Sequence, residues 1–335
     1  MLRNLPRFRR AYAALGEFES HEYWSRDQIE TYQLDRLNVT WQHAQVHVPH
    51  FKQLKQSIEL PEVFNSLAEF QEVMPIQKKS DVRNNTMDFF SESPRDGWWT
   101  RTGGSTGTPM ATYVEDSTHL LGMQAKYRFQ QAWGLDIFDR VVFLWGHSGS
   151  LAPGLEGVID RMTTPIHDFL RNRMRLSAYA LGEKSLQHYL RRIARFKPRG
   201  LYGYASALQL LAREAIKQRI RFDSLEVCML TGEPATPQAI ADIEAAFGVV
   251  AVVEYGSYEC GFMAHSWRDG TFRVREDLVY IETTERCDDK HDIIVTVLDN
   301  YSFPMLRYKI DRRQALDKRV AESIGKLPSC ACRLH

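Results

Sequence analysis

The sequence predicts an α/β protein, with mostly parallel strands covered by helices. Two observations carry this. Short apolar runs of strand length, Arg140 to Gly146, Leu225 to Leu230 and Val249 to Val253, alternate with helical patterns of about 11–17 residues. The 335-residue length suits one large α/β unit or two smaller ones. In such sheets ligands bind at the loops leaving the carboxyl ends of strands. The loops after Leu144, Leu230 and Val253 are therefore the informative ones.

The elements follow in order. Ser25-Arg26-Asp27-Gln28 reads as a capping box opening a helix that runs to about Val46. Residues 60–100 are mixed and rich in turn formers. Trp98 to Pro109 keeps no periodicity and reads as a loop. Met110 to Val114 reads as a strand, and Ser117 to Trp133 as a helix closed by Gly134. Ser185 to Phe196 is amphipathic, with Leu186, Leu190, Ile193 and Phe196 on one face. Leu201-Tyr202-Gly203-Tyr204 precedes a helix capped by Ser206. Thr236-Pro237 is an N-cap with proline at the first helical position, and Gly248 sits just past that helix's end. Val249 to Val253 runs into Tyr255-Gly256-Ser257-Tyr258-Glu259. Leu278 to Glu282 and Ile293 to Leu298 are late strands.

Bulk composition narrows the function classes. A formal net charge of +1 offers no global field for nucleic acid or an anionic membrane. The five cysteines are sparse and odd in number, which fits a reducing cytoplasm rather than a disulfide framework. No apolar run reaches the roughly 18 residues that a membrane span needs. Met1 to Leu15 is basic, with Arg3, Arg7, Arg9 and Arg10. That suits a transit peptide or a membrane-surface helix, but a solvated amphipathic helix is the simpler reading.

Thr100 to Pro109 holds three glycines and five hydroxyl residues. Glycines let backbone N–H groups approach a polyanion, and hydroxyls add donors. No Gly-Lys-Ser/Thr follows, so this is not a Walker loop, and the dinucleotide-binding glycine spacing is missing. Such a loop suits a triphosphate that is gripped and then released as pyrophosphate; a polar surface turn is the plain alternative.

Four segments then occur in order: Thr102-Gly-Gly-Ser-Thr-Gly-Thr-Pro109, Leu230-Thr-Gly-Glu-Pro234, Glu254-Tyr-Gly-Ser-Tyr-Glu259 and Phe303-Pro-Met-Leu-Arg-Tyr308. Together they resemble the adenylate-forming superfamily of acyl-CoA synthetases, peptide-synthetase adenylation domains and luciferases. Leu201-Tyr-Gly-Tyr-Ala-Ser206 and Cys330-Ala-Cys332 point to its phenylacetate–CoA ligase and CapK-like branch. The resemblance covers about residues 25–335. It implies the large N-terminal domain of such an enzyme, with helix-covered sheets in two subdomains and a small β-rich region. Residues 1–100 would be the mixed helical part, 101–310 the nucleotide- and acid-binding core, and 311–335 a lead into a small C-terminal lid. Relatives continue into that lid for roughly another hundred residues. It carries a catalytic lysine and rotates to admit a thiol, so the 335 residues are expected to be incomplete for turnover.

The implied chemistry is activation of an organic acid, with room for an aromatic one, by ATP and Mg²⁺ to an acyl adenylate, then transfer to coenzyme A or a carrier-protein thiol. Carboxylate and phosphate are both anionic, so the reaction needs a metal ion and oriented donors. The resemblance gives Thr102, Gly103, Gly104, Ser105, Thr106, Gly107 and Thr108 to the phosphates, with Thr106 counted as catalytic. Gly232, Glu233 and Pro234 would border the adenine. Tyr255 would stack on it, and Gly256 would let the base lie close. Ser257 and Tyr258 complete that segment, Glu259 would hold Mg²⁺, Arg307 would lie near the ribose, and Asp311 would bind its hydroxyls. Trp145, His147, Tyr202, Tyr204 and Ser206 would line the acid pocket.

Three departures temper this. Tyr258 stands where the superfamily has a hydroxyl residue before the glutamate. Asp311 comes one place early in Arg307-Tyr308-Lys309-Ile310-Asp311. Some relatives hold zinc with an upstream cysteine, a histidine and a Cys-x-Cys pair. Here Cys330 and Cys332 match the pair, Trp267 and Arg273 stand at the upstream positions, and Cys260 and His265 are nearby substitutes. Unliganded thiols are the simpler reading. The competing function is a catalytically weak nucleotide- or partner-binding scaffold. An acyl carrier protein and a homodimer are partners that the reading admits; nucleic acid and membrane insertion are not.

Overall fold

The computed structural model describes residues 21, 24–101, 109–146, 168–169, 171–179, 181–285 and 291–310. The chain divides into two compact units. The first comprises Met1–Lys126, Gly256–Ala264 and Arg268–His335; the second comprises Tyr127–Tyr255 and His265–Trp267.

The first unit opens on the expected capping box. Ser25 accepts from the Gln28 N–H, the Gln28 side chain returns to the Ser25 N–H, and helix α1 runs Arg26–His47. Ile29, Leu37, Trp41 and Ala44 recur at helical spacing and are buried. Trp41 packs edge-on against Phe51 of α2 (Pro49–Ile58) and tilted against Phe64. The turn-rich stretch that follows forms α3 (Leu67–Val73), α4 (Lys79–Asn84) and one 3-10 turn at Thr86–Phe89.

Residues 97–101 depart from the expected loop. Gly97–Arg101 is strand β1, paired antiparallel with β2 (Ala111–Glu115), Gly97 opposite Glu115 and Arg101 opposite Ala111. Adjacent Trp98 and Trp99 hide the period of two, and both are 42% exposed. The cross-strand partner alone makes this a strand. The hairpin feeds α5 (Asp116–Ala132), which crosses from the first unit into the second.

The second unit is the predicted parallel sheet. Strands β3 (Val141–Trp145), β4 (Arg173–Ser177), β5 (Gly200–Tyr204), β6 (Val227–Thr231) and β7 (Val250–Ser257) lie in the order β4-β3-β5-β6-β7. All four pairings are parallel. Helices α6 (Glu183–Phe196), α7 (Ala205–Gln218) and α8 (Pro237–Phe247) make successive crossovers in one direction. Right-handed connection therefore puts all three on one face. Thr236 caps α8 through the Ala239 N–H, and Gly248 closes it at φ +70°. Ser206 does not cap α7: the cap position is Tyr204, with no side-chain bond.

The chain then returns to the first unit through β8 (Gly261–Ser266) and β9 (Phe272–Val274). Strands β10 (Val279–Glu285), β11 (His291–Val297) and β12 (Tyr308–Lys309) form the separate antiparallel sheet of the β-rich region. At its centre is a buried ion pair. Arg307 donates through Nε to Glu282 Oε1 at 3.1 Å and through Nη2 to Oε2 at 2.8 Å. Its Nη1 donates to the carbonyls of Gln71 and Met74. Burial holds the Glu282 carboxyl above its ordinary range despite the arginine.

Removing one partner of such a pair strands a buried charge, which costs about 3–5 kcal/mol. Arg307→Met is expected to lose about that much stability in urea unfolding, and Arg307→Met with Glu282→Met to recover most of it. Equal losses in the single and double variants would show instead that the pair is itself net stabilising and that no stranded charge causes the loss.

Candidate functional site

The carboxyl ends of β3 and β5 carry an aromatic ladder. Register places Phe143 opposite Tyr202 and Leu144 opposite Gly203. Alternation therefore sends Phe143, Trp145, Tyr202 and Tyr204 to one face. Trp145 stacks on Tyr204 at 4.5 Å between centroids and 20° between planes, and on Tyr202 at 5.9 Å and 23°. Phe143 leans on Tyr202 at 5.2 Å. The Tyr202 hydroxyl donates to Glu254 Oε2 at 2.7 Å, and both groups are buried. Expected pocket residues Trp145, Tyr202 and Tyr204 thus come together, with Glu254 as an acceptor that sequence reading did not single out. His147 lies outside the described residues.

The loop after β6 meets the same ladder. Gly232 sits at φ +76°, and a Cβ there would stand 2.5 Å from the Tyr204 ring. Only glycine fits both the left-handed backbone and that contact. The Glu233 carboxylate accepts from the backbone N–H of Ser206, in the first turn of α7. It supplies the acceptor that the cap residue lacks, and an acid suits the positive end of a helix. Glu233 is therefore engaged with the protein, and Ser206 contributes its backbone here. Pro234 is half-buried beside it.

The end of β7 holds Tyr255, Gly256 and Ser257. Tyr255, expected to offer a stacking face, is fully buried and belongs to the core. Strand alternation does not mark it, because this strand is buried on both faces through residue 255. Tyr258 is the tyrosine that this segment presents, at 54% exposure. Gly256 owes its lack of a side chain to Gly261: a Cβ would stand 2.5 Å from that carbonyl oxygen. The Ser257 hydroxyl accepts from the Cys260 N–H at 3.0 Å and closes the turn.

That turn delivers Glu259. Its side chain is 7% exposed, and its Oε1 lies 3.0 Å from the Lys79 ammonium of α4. Sequence reading did not single out Lys79; with 180 residues between the partners, nothing local signals the contact. Oε2 of Glu259 has no hydrogen-bond partner among the described residues. A carboxylate with one oxygen free is the hard donor that Mg²⁺ takes. Arg307, expected near a ribose, instead spends its donors on Glu282, Gln71 and Met74, as above.

Thr102, Gly103, Gly104, Ser105, Thr106, Gly107, Thr108, Asp311, Cys330 and Cys332 lie outside the described residues. Among the described residues no group of three or more His, Cys, Asp or Glu is placed to hold a metal. His265, a considered zinc substitute, turns its Nδ1 to the Ser266 carbonyl at 3.2 Å and packs against Phe129. Cys228 and Cys260 are buried, and burial pushes the Cys228 thiol well up. No described helix is long and apolar enough to cross a membrane.

No protein-family model matches the chain. Protein CapK of Staphylococcus aureus is 24% identical over 242 residues, 71% of this chain and 52% of that protein. A 2-hydroxyisobutyryl-CoA ligase solved with 2-HIB-AMP and CoA in the thioesterification state superposes with a TM-score of 0.69 at 20% identity. That match covers 85% of this chain and 63% of the ligase. The same ligase in an open conformation, also with 2-HIB-AMP and CoA, gives 0.67 at 19% identity, covering 84% and 63%. The chain spans about half the length of the curated relative and under two thirds of the ligase. The chain has the fold of the N-terminal domain of adenylate-forming ligases.

Gly232→Ala places a Cβ against Tyr204 and forces a left-handed alanine, costing about 1–2 kcal/mol for the backbone alone. Stability in urea is expected to fall by at least that much, with a changed near-UV dichroism from the Trp145–Tyr204 stack. An unaltered near-UV spectrum would show that the loop moves away instead.

Proposed function

We propose that this chain is the nucleotide- and acid-binding portion of an adenylate-forming ligase. It would activate a small organic acid with ATP as an acyl adenylate and pass the acyl group to coenzyme A or a carrier-protein thiol. The observation that carries this reading is the fold, shared at a TM-score of 0.69 with a ligase solved with an acyl-AMP and CoA. The ordered segments from Thr102 to Tyr308 support it.

On this reading the hydroxyls and backbone N–H groups of Ser105 to Thr108 cradle the phosphates. Gly232 to Pro234 form the adenine edge. Glu259 would hold Mg²⁺, which would supply charge neutralisation at the phosphates. The ladder of Trp145, Tyr202 and Tyr204 is the wall of the acid pocket, with Glu254 fixing the Tyr202 hydroxyl. Apolar walls with a few placed polar groups are usual for small ligands. The acid's carboxylate attacks the α-phosphorus and pyrophosphate leaves. The protein's share is to align the two anions and hold water away. Tyr255 serves as core and Arg307 as a bracket of the β-rich sheet. No step runs through zinc. We place the reaction in the cytoplasm, on the cysteine pattern.

The buried Tyr255 and the self-stacked Trp145–Tyr204 pair favour one other reading, a scaffold that kept the fold without turnover. Thermal unfolding with Mg-ATP, AMP and acyl-sulfamoyl adenosines separates the two. A ligand at 100 times its Kd adds about 2.7 kcal/mol, a midpoint rise of about 4 °C in a chain of this size. A rise with AMP and a larger one with particular acyl analogues is expected; no rise with any nucleotide favours the scaffold. In titration calorimetry, Glu259→Gln is expected to weaken Mg-ATP binding about tenfold or more and AMP binding little. Equal losses would remove the metal role.

A further inference from the structure

The segment that carries Lys79 is fixed before its side chain is considered. The Gln77 N–H donates to the Arg307 carbonyl at 2.9 Å, and the Lys309 N–H donates to the Gln77 carbonyl at 2.9 Å. This is a one-residue parallel bridge beside β12. Just upstream, Arg307 Nη1 grips the carbonyls of Gln71 and Met74. Both sides of residue 75 are therefore anchored to the β-rich sheet. Two residues past Gln77, Lys79 opens α4 and reaches Glu259. The acid nearest on its own helix, Asp81, is turned elsewhere, to the Lys78 N–H and the Ser80 hydroxyl. Lys79 keeps 30% exposure while the Glu259 side chain keeps 7%, so the ammonium is the more open half of the pair.

Resting on the reading of Glu259 as the magnesium ligand, we propose that Lys79 is a phosphate-binding residue that tells a triphosphate from a monophosphate. In the nucleotide-free chain it neutralises Glu259. A magnesium ion held by Glu259 would share that carboxylate with the ammonium. Two cations on one carboxylate repel unless a further anion lies beside both. The β- and γ-phosphates of Mg-ATP supply that anion, and AMP does not. The lysine's flexible stem and three donors let the ammonium turn from Oε1 to a phosphate oxygen while the anchored backbone stays in place. No bond to carbon or phosphorus forms or breaks in this exchange.

The test uses the full 335-residue chain as wild type, Lys79→Met, Lys79→Arg and Lys79→Gln, with Mg-ATP and AMP affinities from titration calorimetry. Lys79→Met is expected to weaken Mg-ATP at least tenfold and AMP less than twofold, and Lys79→Arg to recover most of the loss. Lys79→Gln keeps a hydrogen bond to Glu259 without the charge. It is expected to show the same selective loss, and it stands in if the methionine variant does not fold. Mg-ATP and AMP affinities that fall together, or an unchanged ratio in both Met and Gln variants, would leave the lysine a structural partner of Glu259 and overturn the proposal. A wild type that binds neither nucleotide overturns the ligase reading and this inference with it. A wild type that binds Mg-ATP beside an unaffected Lys79→Gln overturns the inference alone.

Discussion

A guanidinium can be buried when each of its faces meets an acceptor, and Arg307 meets that condition with Glu282 and two carbonyls. The first unit depends on this contact. It ties β12 to β10 and binds the end of α3 to the sheet, and β12 in turn fixes Gln77. The arginine is held there at φ +48°, with its N–H on the Thr296 hydroxyl at 3.0 Å. A non-glycine residue keeps a left-handed backbone only where its surroundings over-determine it. An arginine within a family-like segment thus works mainly as a bracket.

A second buried carboxylate works in the same way. Glu115, at the end of β2 and fully buried, accepts from the N–H groups of Tyr301 and Ser302 and from the Ser302 hydroxyl. It pins the hairpin that flanks the glycine–hydroxyl loop to the turn leading into Phe303. This charge-assisted knot makes one stem of the hairpin rigid. The second unit reaches rigidity by apolar means: β6 is buried along its whole length, and the ladder beside it stacks ring on ring.

What the sequence made legible has a local cause. The α1 capping box, the Thr236 cap, the Gly248 stop and the buried runs of β3, β6 and β7 are fixed by residues a few positions apart. They appear within two residues of their expected bounds, except that β7 runs four residues further, to Ser257. The parallel sheet follows from their alternation. What stayed illegible is set by distant partners. Gly97–Arg101 becomes a strand only because Ala111–Glu115 pairs with it. Ser206 loses its expected cap role because a glutamate 27 residues later serves that helix. The two tyrosines of the Tyr255–Tyr258 segment are alike in sequence, yet one is core and the other exposed.

Glu259 shows how the two kinds of information combine. Its motif marks it as an acid at a strand end, where parallel sheets bind ligands. The motif is silent on the lysine that holds it. A side chain 7% exposed with one oxygen free is neither a solvated turn acid nor a saturated core pair. A satisfied structural pair would use both oxygens, as Glu282 does with Arg307. Glu282 and Glu259, both in this unit and both paired with a cation, thus differ: one is closed and the other half open. The difference between them is one carboxylate oxygen without a donor among the described residues, and an oxygen left so is chemically able to take a ligand where a closed pair is not.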